Sequence, residues 1–354
     1  MNDTKFYHDK PVFGIDIGFN SIKVMQMNNA TGNRQVIGYG VTSFDKSAMQ
    51  DGIITYPEKI AQSVQKMFES DIVGKITTRR VAVAIPASKT FNRTIQFPKI
   101  DNQKELDEAV RFEAEQYIPV PLEQLYMDYG VVTQTDKGTE VLATAVPKKI
   151  VDSYMTTMKL LGLEPIAVET TINASGRLFL HAEQSDEPSI LIDFGSVSSD
   201  ITIFDKTLVV TGTVSGGGDN FSDLISKKLN VTQQEAHIIK TKYGLGVSKK
   251  QAEITEALKP TLDQLIKEIK RMIRYYEERK TVEGKIGQVV TLGGGANMPG
   301  LSEHMTNLLR LPVRMCDPWQ SLQFGKLQPP NSVEKSMYVT VAGLALLRSE
   351  EILS

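Results

Sequence analysis

The stretch ILIDFGSVSSDITIF, residues 190–204, sets an acid, Asp193, inside a run of strand-forming residues. Gly195 and a serine-rich turn follow, and strand character returns with Asp200, Ile201 and Ile203. Ile190, Ile192 and Phe194 alternate with Leu191, Asp193 and Gly195, which predicts a strand, a tight turn and a second strand. Alone, this is also the pattern of an ordinary hairpin with a polar turn. A carboxylate beside a glycine-containing turn nevertheless suits a phosphate group. Backbone N–H groups can approach phosphate oxygens there, while the acid holds a metal ion or a water.

The same plan occurs at the other end of the chain. VFGIDIGFNSIKVMQM, residues 12–27, runs through a strand, Asp16, Gly18, the small polar Asn20 and Ser21, and a strand from Ile22 to Met27. Counting Asp16 to Asp193, the copies lie 177 residues apart, half of the 354-residue chain. A half-length repeat predicts two lobes of similar plan whose turns face each other across a cleft. The copies differ after the turn: the first has Lys23, where the second has Thr202 shortly after Asp200. Lys23 is expected to be a mobile cation beside one phosphate loop, or else an exposed strand residue.

Two further glycine clusters follow. VVTLGGGANMPGL, residues 289–301, reads as a buried strand ending in Gly293, Gly294 and Gly295, with Pro299 and Gly300 opening a helix. Its spacing fits neither a dinucleotide fingerprint nor a Walker A loop. Bare backbone after a strand lets a flat ligand lie close, and the helix start adds a positive dipole end, so a base and ribose suit this surface. In TVSGGGDNFSDLISKKL, residues 213–229, Gly216, Gly217 and Gly218 precede a helix whose N-cap is expected at Asp219 or Asn220.

Bulk properties bound the alternatives. Hydrophobic residues make up 41% and charged residues 23%, as in ordinary globular chains. The formal charge of −2 argues against a dedicated nucleic-acid binder. A single cysteine, Cys316, excludes an intrachain disulfide, and His8, His181, His237 and His304 make no metal-ligand spacing. The beginning of the sequence lacks a signal-peptide apolar core, and no run of 18 apolar residues occurs. Residues 337–354, MYVTVAGLALLRSEEILS, read as a closing core helix with Val341, Leu344 and Leu347 on one face. In residues 253–280 Leu258, Leu262, Leu265, Ile269, Met272 and Tyr276 form one stripe, that of a helix buried on a single face.

The order of elements resembles the actin/Hsp70/sugar-kinase nucleotide-binding superfamily: a first phosphate hairpin, a connecting segment, a second phosphate hairpin and an adenosine loop. More narrowly, VRFEAEQYIPVPLEQLYMDYGVV, residues 110–132, is similar to a signature of the PilM family, the actin-like proteins of type IV pilus assembly, whose relatives are the FtsA division proteins. The resemblance implies an α/β, actin-like ATPase fold with two lobes around a nucleotide cleft and an FtsA/PilM-type inserted subdomain. The divisions it implies are a first-lobe core at 11–84, an insert at 85–163, a connecting segment at 164–187, a second lobe at 188–330, and a C-terminal helix at 331–354 returning to the first lobe. The second lobe includes a helical subdomain at about 220–285 and the adenosine loop at 293–300.

By the same resemblance, Asp16, Gly18, Asn20, Ser21 and Lys23 fall on the first phosphate loop, and Asp193, Gly195, Ser196, Ser198 and Asp200 on the second. Gly216–Gly218 and Gly293–Gly295 supply backbone to the nucleotide. Relatives carry Ala-Glu-x-x-Lys where this chain has AHIIK, residues 236–240, so Lys240 matches and His237 replaces the acid. Glu235 points about 100° away on a helix and is a poor substitute. Glu169 lies where relatives orient the attacking water, and Asp193 is the other candidate for that task. The implied cofactors are ATP and Mg²⁺, the metal held by Asp16 and Asp193 through its waters. No arginine finger is evident, so binding with at most slow turnover is expected.

The implied partner is the cytoplasmic N-terminal segment of a PilN-like inner-membrane protein, docked between the first lobe and the insert. Phe97, Arg111, Phe112, Tyr117 and Ile118 are the expected contacts, with Phe91, Val120, Leu122, Leu125 and Tyr126 nearby; the same residues would also serve as an ordinary core. Self-association and contacts with other pilus-machine proteins are compatible with the family. The location implied is the cytoplasm, at the inner face of the cytoplasmic membrane and reached through partners. Two other functions share the fold. An FtsA-like filament would carry a membrane-targeting amphipathic helix behind a linker, and none is evident. A small-molecule kinase would need a catalytic acid, and Asp101, Asp107 and Asp128 lack a Gly-x-Asp context.

Overall fold

A computed structural model describes residues 10–28, 34–182, 187–279, 285–332 and 334–347. Its first sheet is built from β1 (Phe13–Ile17), β2 (Ser21–Asn28), β3 (Gln35–Ser43), β6 (Ile72–Gly74), β7 (Arg80–Ile85) and β11 (Glu164–Thr170). Between β3 and β6 lie a small hairpin, β4 (Met49–Gln50) and β5 (Ile53–Ile54), and helix α1 (Pro57–Ser70). The strand order is β11-β7-β1-β2-β3-β6. The second sheet contains β12 (Ser189–Phe194), β13 (Ser198–Asp205), β14 (Thr207–Ser215), β15 (Gln288–Leu292) and β16 (Val313–Met315), ordered β14-β13-β12-β15-β16.

The two sheets repeat one topology. In each, a three-strand antiparallel meander is joined on one side by two parallel strands. The register repeats as well: Asp16 pairs with Lys23, and Asp193 pairs with Asp200. Lys23 therefore corresponds to Asp200 and not to Thr202, because register across the turn decides the match.

The remaining strands, β8 (Phe91–Phe97), β9 (Leu125–Thr135) and β10 (Gly138–Pro147), form a separate antiparallel sheet ordered β8-β10-β9. Helix α2 (Gln103–Tyr117) covers one face, packing Leu106 and Val110 against Ile95, Val141 and Ala143. Asn102 caps its start by accepting from the Lys104 and Glu105 N–H groups. At its end Ile118 is extended, as a residue before proline prefers. This subdomain is smaller than the expected 85–163. Strand β7 belongs to the first sheet. Helix α3 (Lys148–Leu160) buries Ile150, Tyr154 and Met158 in the first-lobe core, and the Tyr154 hydroxyl donates to the Ile17 carbonyl at 3.2 Å. The insert proper thus runs from about β8 to β10.

Helix α4 (Thr171–Ala182) leads into the second lobe, which carries α5 (Gly218–Leu229), α6 (Gln233–Lys242), α7 (Gln251–Arg279) and α8 (Leu301–Leu309). The stripe from Leu258 to Tyr276 is buried along α7, as its four-and-three spacing requires. Helix α9 (Val339–Ala345) is buried at every residue and packs on β1, β2 and α4. Met25 and Met27 of the first sheet, Leu191 and Val290 of the second, and Val341 and Ala342 of α9 share one cluster, so the lobes have a common base. At that base a Cβ on Gly343 would stand 1.8 Å from the Ala174 carbonyl oxygen, so α9 crosses α4 with backbone nearly touching backbone. The expected closing helix is described through Leu347; residues 348–354, together with the parts of other expected segments at 183–186 and 280–284, lie outside the described residues.

Candidate functional site

Both hairpins open onto one cavity of about 470 Å³. From the first hairpin Asp16, Gly18, Asn20, Ser21 and Lys23 line it; from the second, Asp193, Gly195, Ser196, Ser198 and Asp200. Pairing across β1 and β2 brings Lys23 Nζ to 3.1 Å from Asp16 Oδ2, and both residues are buried. The lysine is therefore neither mobile nor an exposed strand residue: a partner and a low-dielectric setting hold it. Gly18 closes the turn by donating from its N–H to the Ser21 carbonyl at 3.0 Å.

The second hairpin puts like charges at the equivalent positions. Burial and the Asp200 and Asp16 carboxylates push Asp193 up to about 7, with Lys23 opposing. Burial likewise raises Asp200 to about 6, although it accepts a hydrogen bond from Thr213 Oγ1 at 2.6 Å. Three carboxylates thus line the cavity with Lys23 paired to one of them, Asp16, an arrangement that a cation would relieve.

The third glycine element closes the cavity's far side. Gly293 has φ +82°, and a Cβ there would lie 2.2 Å from Asp193 Oδ1. Glycine is needed both for the backbone conformation and for the close approach of the acid. Gly294 and Gly295 line the cavity in a short 3-10 turn, with Asn297, Met298, Ser336 and Met337 beside them. Ser336 ties this turn by donating from Oγ to the Gly293 carbonyl and accepting from Asn297 Nδ2.

The fourth element differs from expectation. The N-cap of α5 is Gly217, and Asp219 sits inside the first turn. The Gly218 and Asp219 N–H groups donate to the Gly195 and Ser196 carbonyls at 2.9 and 2.8 Å. These helix-start donors are spent in bracing the turn of the second hairpin. Gly218 lines the cavity; Gly216 and Gly217 do not. Lys240 is buried, donates to the Gly218 carbonyl at 2.5 Å, and has its pKa lowered by burial. His237 also lines the cavity, and burial followed by the nearby Lys240 lowers its pKa, so the imidazole is neutral at pH 7. Glu235 forms a capping box with Thr232 instead of reaching the site.

Glu169 is not brought to the cavity. It makes a two-pronged ion pair with Arg177, at 2.6 and 2.7 Å, and Arg177 also donates to the Gly343 carbonyl. Its neighbour at the start of α4, Thr171, lines the cavity, as does Ser88 from the loop after β7. The sequence offered no signal for Ser88, because its placement depends on β7 running parallel to β1.

The expected partner residues are also divided by the structure. Ile118 is buried, and Phe97 and Tyr117 are half-buried in the insert's own core, with Arg93 stacked 4.5 Å over the Tyr117 ring. Arg111 and Phe112 face outward, Phe112 at 65% exposure. Tyr126, on the edge strand β9, is exposed where the insert meets the first lobe. Its hydroxyl donates to Asp152 of α3 at 3.0 Å, and Lys148 stands 5.4 Å over its ring.

Two lobes of repeated topology, joined at a shared base with their acidic hairpins facing one cavity, define an actin-like ATPase fold. The chain belongs to the family described as type IV pilus assembly protein PilM, whose model matches residues 14–349. It is similar to the solved PilM-PilN type IV pilus biogenesis complex, with a TM-score of 0.82 and 22% identity over 96% of this chain and 98% of that one. It is 23% identical to the cell division protein FtsA of Streptococcus pneumoniae, over 87% of this chain and 75% of that protein. MreB 5 of Spiroplasma citri, solved bound to AMPPNP, shares the fold with a TM-score of 0.53 and 14% identity, over 97% of this chain and 95% of that one.

The residues present fit a magnesium nucleotide. Among the described residues no group of three or more side chains could cage a metal alone. Asp16 and Asp193 from facing hairpins instead suit a cation that keeps its waters and is shared with phosphate oxygens.

Proposed function

We propose that the cleft binds ATP with Mg²⁺ and that the protein is a cytoplasmic scaffold of type IV pilus assembly, at the inner face of the cytoplasmic membrane. The observation that carries this reading is the matched register of the two hairpins, which sets Asp16 and Asp193 at equivalent positions around one cavity. In this reading the turns at Gly18–Ser21 and Gly195–Ser198 offer backbone N–H groups to the phosphates. Gly293–Gly295, Met298 and Met337 take the base and ribose, and Lys240 stiffens the ribose side by holding the start of α5. When bound, Mg²⁺ neutralises phosphate charge and relieves the repulsion among Asp16, Asp193 and Asp200. Turnover is slow at most, because Glu169 is committed to Arg177 and no arginine among the described residues lines the cavity. Asp193 is left as the residue to hold a water.

The partner in this reading is the N-terminal cytoplasmic segment of a PilN-like membrane protein, supported by likeness to a solved PilM-PilN complex. Its place is the junction of insert and first lobe, where Tyr126 is exposed on a strand edge and a peptide can add main-chain hydrogen bonds. Among the described residues no helix is long and apolar enough to cross a membrane, so attachment through such a partner is consistent with the chain.

Calorimetry with Mg-ATP and with a PilN-like N-terminal peptide tests both halves. Saturable binding of each is expected. Absence of heat with Mg-ATP would remove the nucleotide reading, and an unchanged peptide affinity in Tyr126→Ala would remove the junction from the interface.

A further inference from the structure

The Ser88 hydroxyl oxygen is buried without a hydrogen-bond partner, and Ser88 lines the cavity. Buried hydroxyls are nearly always paired, so an orphan in a cleft wall points to a ligand group. Its location is fixed at the end of the cavity where the second hairpin lies, since the turn Ala87–Lys89 packs against β13, the strand that carries Asp200. Lys23, the cation at that end, is already paired with Asp16.

Ser88 also sits where the chain leaves the first sheet for the insert, in the short turn Ala87–Lys89 between β7 and β8. From that turn hydrogen bonds run without a break into the insert. Thr90 Oγ1 donates to the Ala87 carbonyl at 2.9 Å, Asn92 Nδ2 to Thr90 Oγ1 at 2.8 Å, and Thr144 Oγ1 to Asn92 Oδ1 at 2.8 Å. A second route passes through β14. Thr94 of the insert donates to the Val209 carbonyl at 2.9 Å, and Thr213 on the same strand donates to Asp200.

We propose that Ser88 senses the terminal phosphate: its hydroxyl donates to the outermost phosphate of a bound nucleoside triphosphate, and the Thr90–Asn92–Thr144 chain carries that contact to the insert. The inference rests on the nucleotide reading of the cleft and adds a residue and a route to it. A diphosphate does not offer the outermost acceptor, so the two nucleotides set the insert differently. Differential contact of this kind is what couples two sites.

Ser88→Ala removes one unpaired atom and is expected to melt at the wild-type temperature. Calorimetry on the full chain with Mg²⁺ and either AMPPNP or ADP should show triphosphate affinity falling about tenfold, as for loss of a bond to a charged group, with ADP affinity unchanged. Hydrogen exchange gives a readout independent of affinity. In the wild type AMPPNP should slow exchange in β8 and β10 relative to ADP; this difference should vanish in Ser88→Ala and in Asn92→Ala, while Asn92→Ala keeps the triphosphate preference. Equal losses for both nucleotides, or an exchange difference that survives Ser88→Ala, would overturn the proposal. A wild-type chain that binds neither nucleotide would overturn the cleft reading itself, and this inference with it.

Discussion

Asn20, at the tip of the first turn, donates from its side-chain amide to both oxygens of Asp219, at 3.0 and 3.2 Å. The two lobes thereby touch across the rim of the cavity, and Lys46 adds an ion pair to the same carboxylate at 2.8 Å. On the proposed reading of the cavity, a nucleotide entering or leaving it would have to part these groups or slip past them.

Asp219→Ala should therefore speed exchange more than it costs stability. The pair with Lys46 is largely exposed, so unfolding free energy should fall by about 1 kcal/mol or less. Dissociation of a fluorescent ATP analogue, followed by stopped flow, should quicken several-fold. An unchanged dissociation rate would show that the rim does not gate the cavity.

The acids of the second hairpin make a pH prediction. Asp193 near 7 and Asp200 near 6 both lie above the ordinary carboxylate value of 3.8. The folded chain thus holds protons that the unfolded chain releases. This stabilisation is complete below about pH 4 and is lost as pH rises through the two folded values. The melting temperature of the ligand-free protein should fall between about pH 5 and about pH 8. Asp193→Asn should flatten that slope and raise the melting temperature at the alkaline end, while weakening Mg-ATP binding.

Gly293→Ala meets two obstacles at once, a left-handed backbone and the Asp193 carboxylate 2.2 Å from the new carbon. A loss of about 1–3 kcal/mol in denaturant unfolding is expected, with Mg-ATP affinity reduced as well. Near-wild-type values of both would mean that this loop can shift without disturbing the acid.

Glu169→Gln separates structure from chemistry. Loss of the paired charge leaves the largely buried Arg177 without its two-pronged partner, and destabilisation of about 2 kcal/mol is expected. Mg-ATP affinity and any slow hydrolysis should stay as in the wild type. A selective loss of hydrolysis with stability intact would restore Glu169 to the chemistry.

In the insert, Ile118→Asp should unfold the subdomain locally, because the side chain is 6% exposed in its core. Phe112→Asp, on the outer face of α2, should leave the melting temperature within about 1 °C. The two variants distinguish packing from recognition: reduced peptide binding in Phe112→Asp would extend the interface to that face.

The paired hairpins were legible in the sequence because period-2 alternation and a glycine turn are local properties, and their recurrence at half length supplied the two-lobed plan. The stripe on α7 was legible for the same reason. The pairing of Lys23 with Asp16 was not, since it depends on register across a turn rather than on order along the chain. Likewise Glu169 meets Arg177 around a strand-to-helix corner. The aromatic cluster between Phe91 and Tyr126 shows a different limit. Composition indicates how much apolar surface a segment has, but the small sheet needs most of it for its own core, and Ile118 and Leu125 are spent there. Helix α3 reads like part of the insert because it follows β10 directly, yet its buried face matches the first lobe.

The near-contact of Gly343 with Ala174 lies one helical turn from Thr340 and Thr171, which line the cavity from the same two helices. With backbone pressed on backbone, the crossing leaves no room for a side chain at position 343, so the two helices are held at one spacing. Substituents larger than hydrogen at position 343 would thus spread α9 from α4 and carry Thr340 and Thr171 apart in the cavity wall, a change made from behind the site.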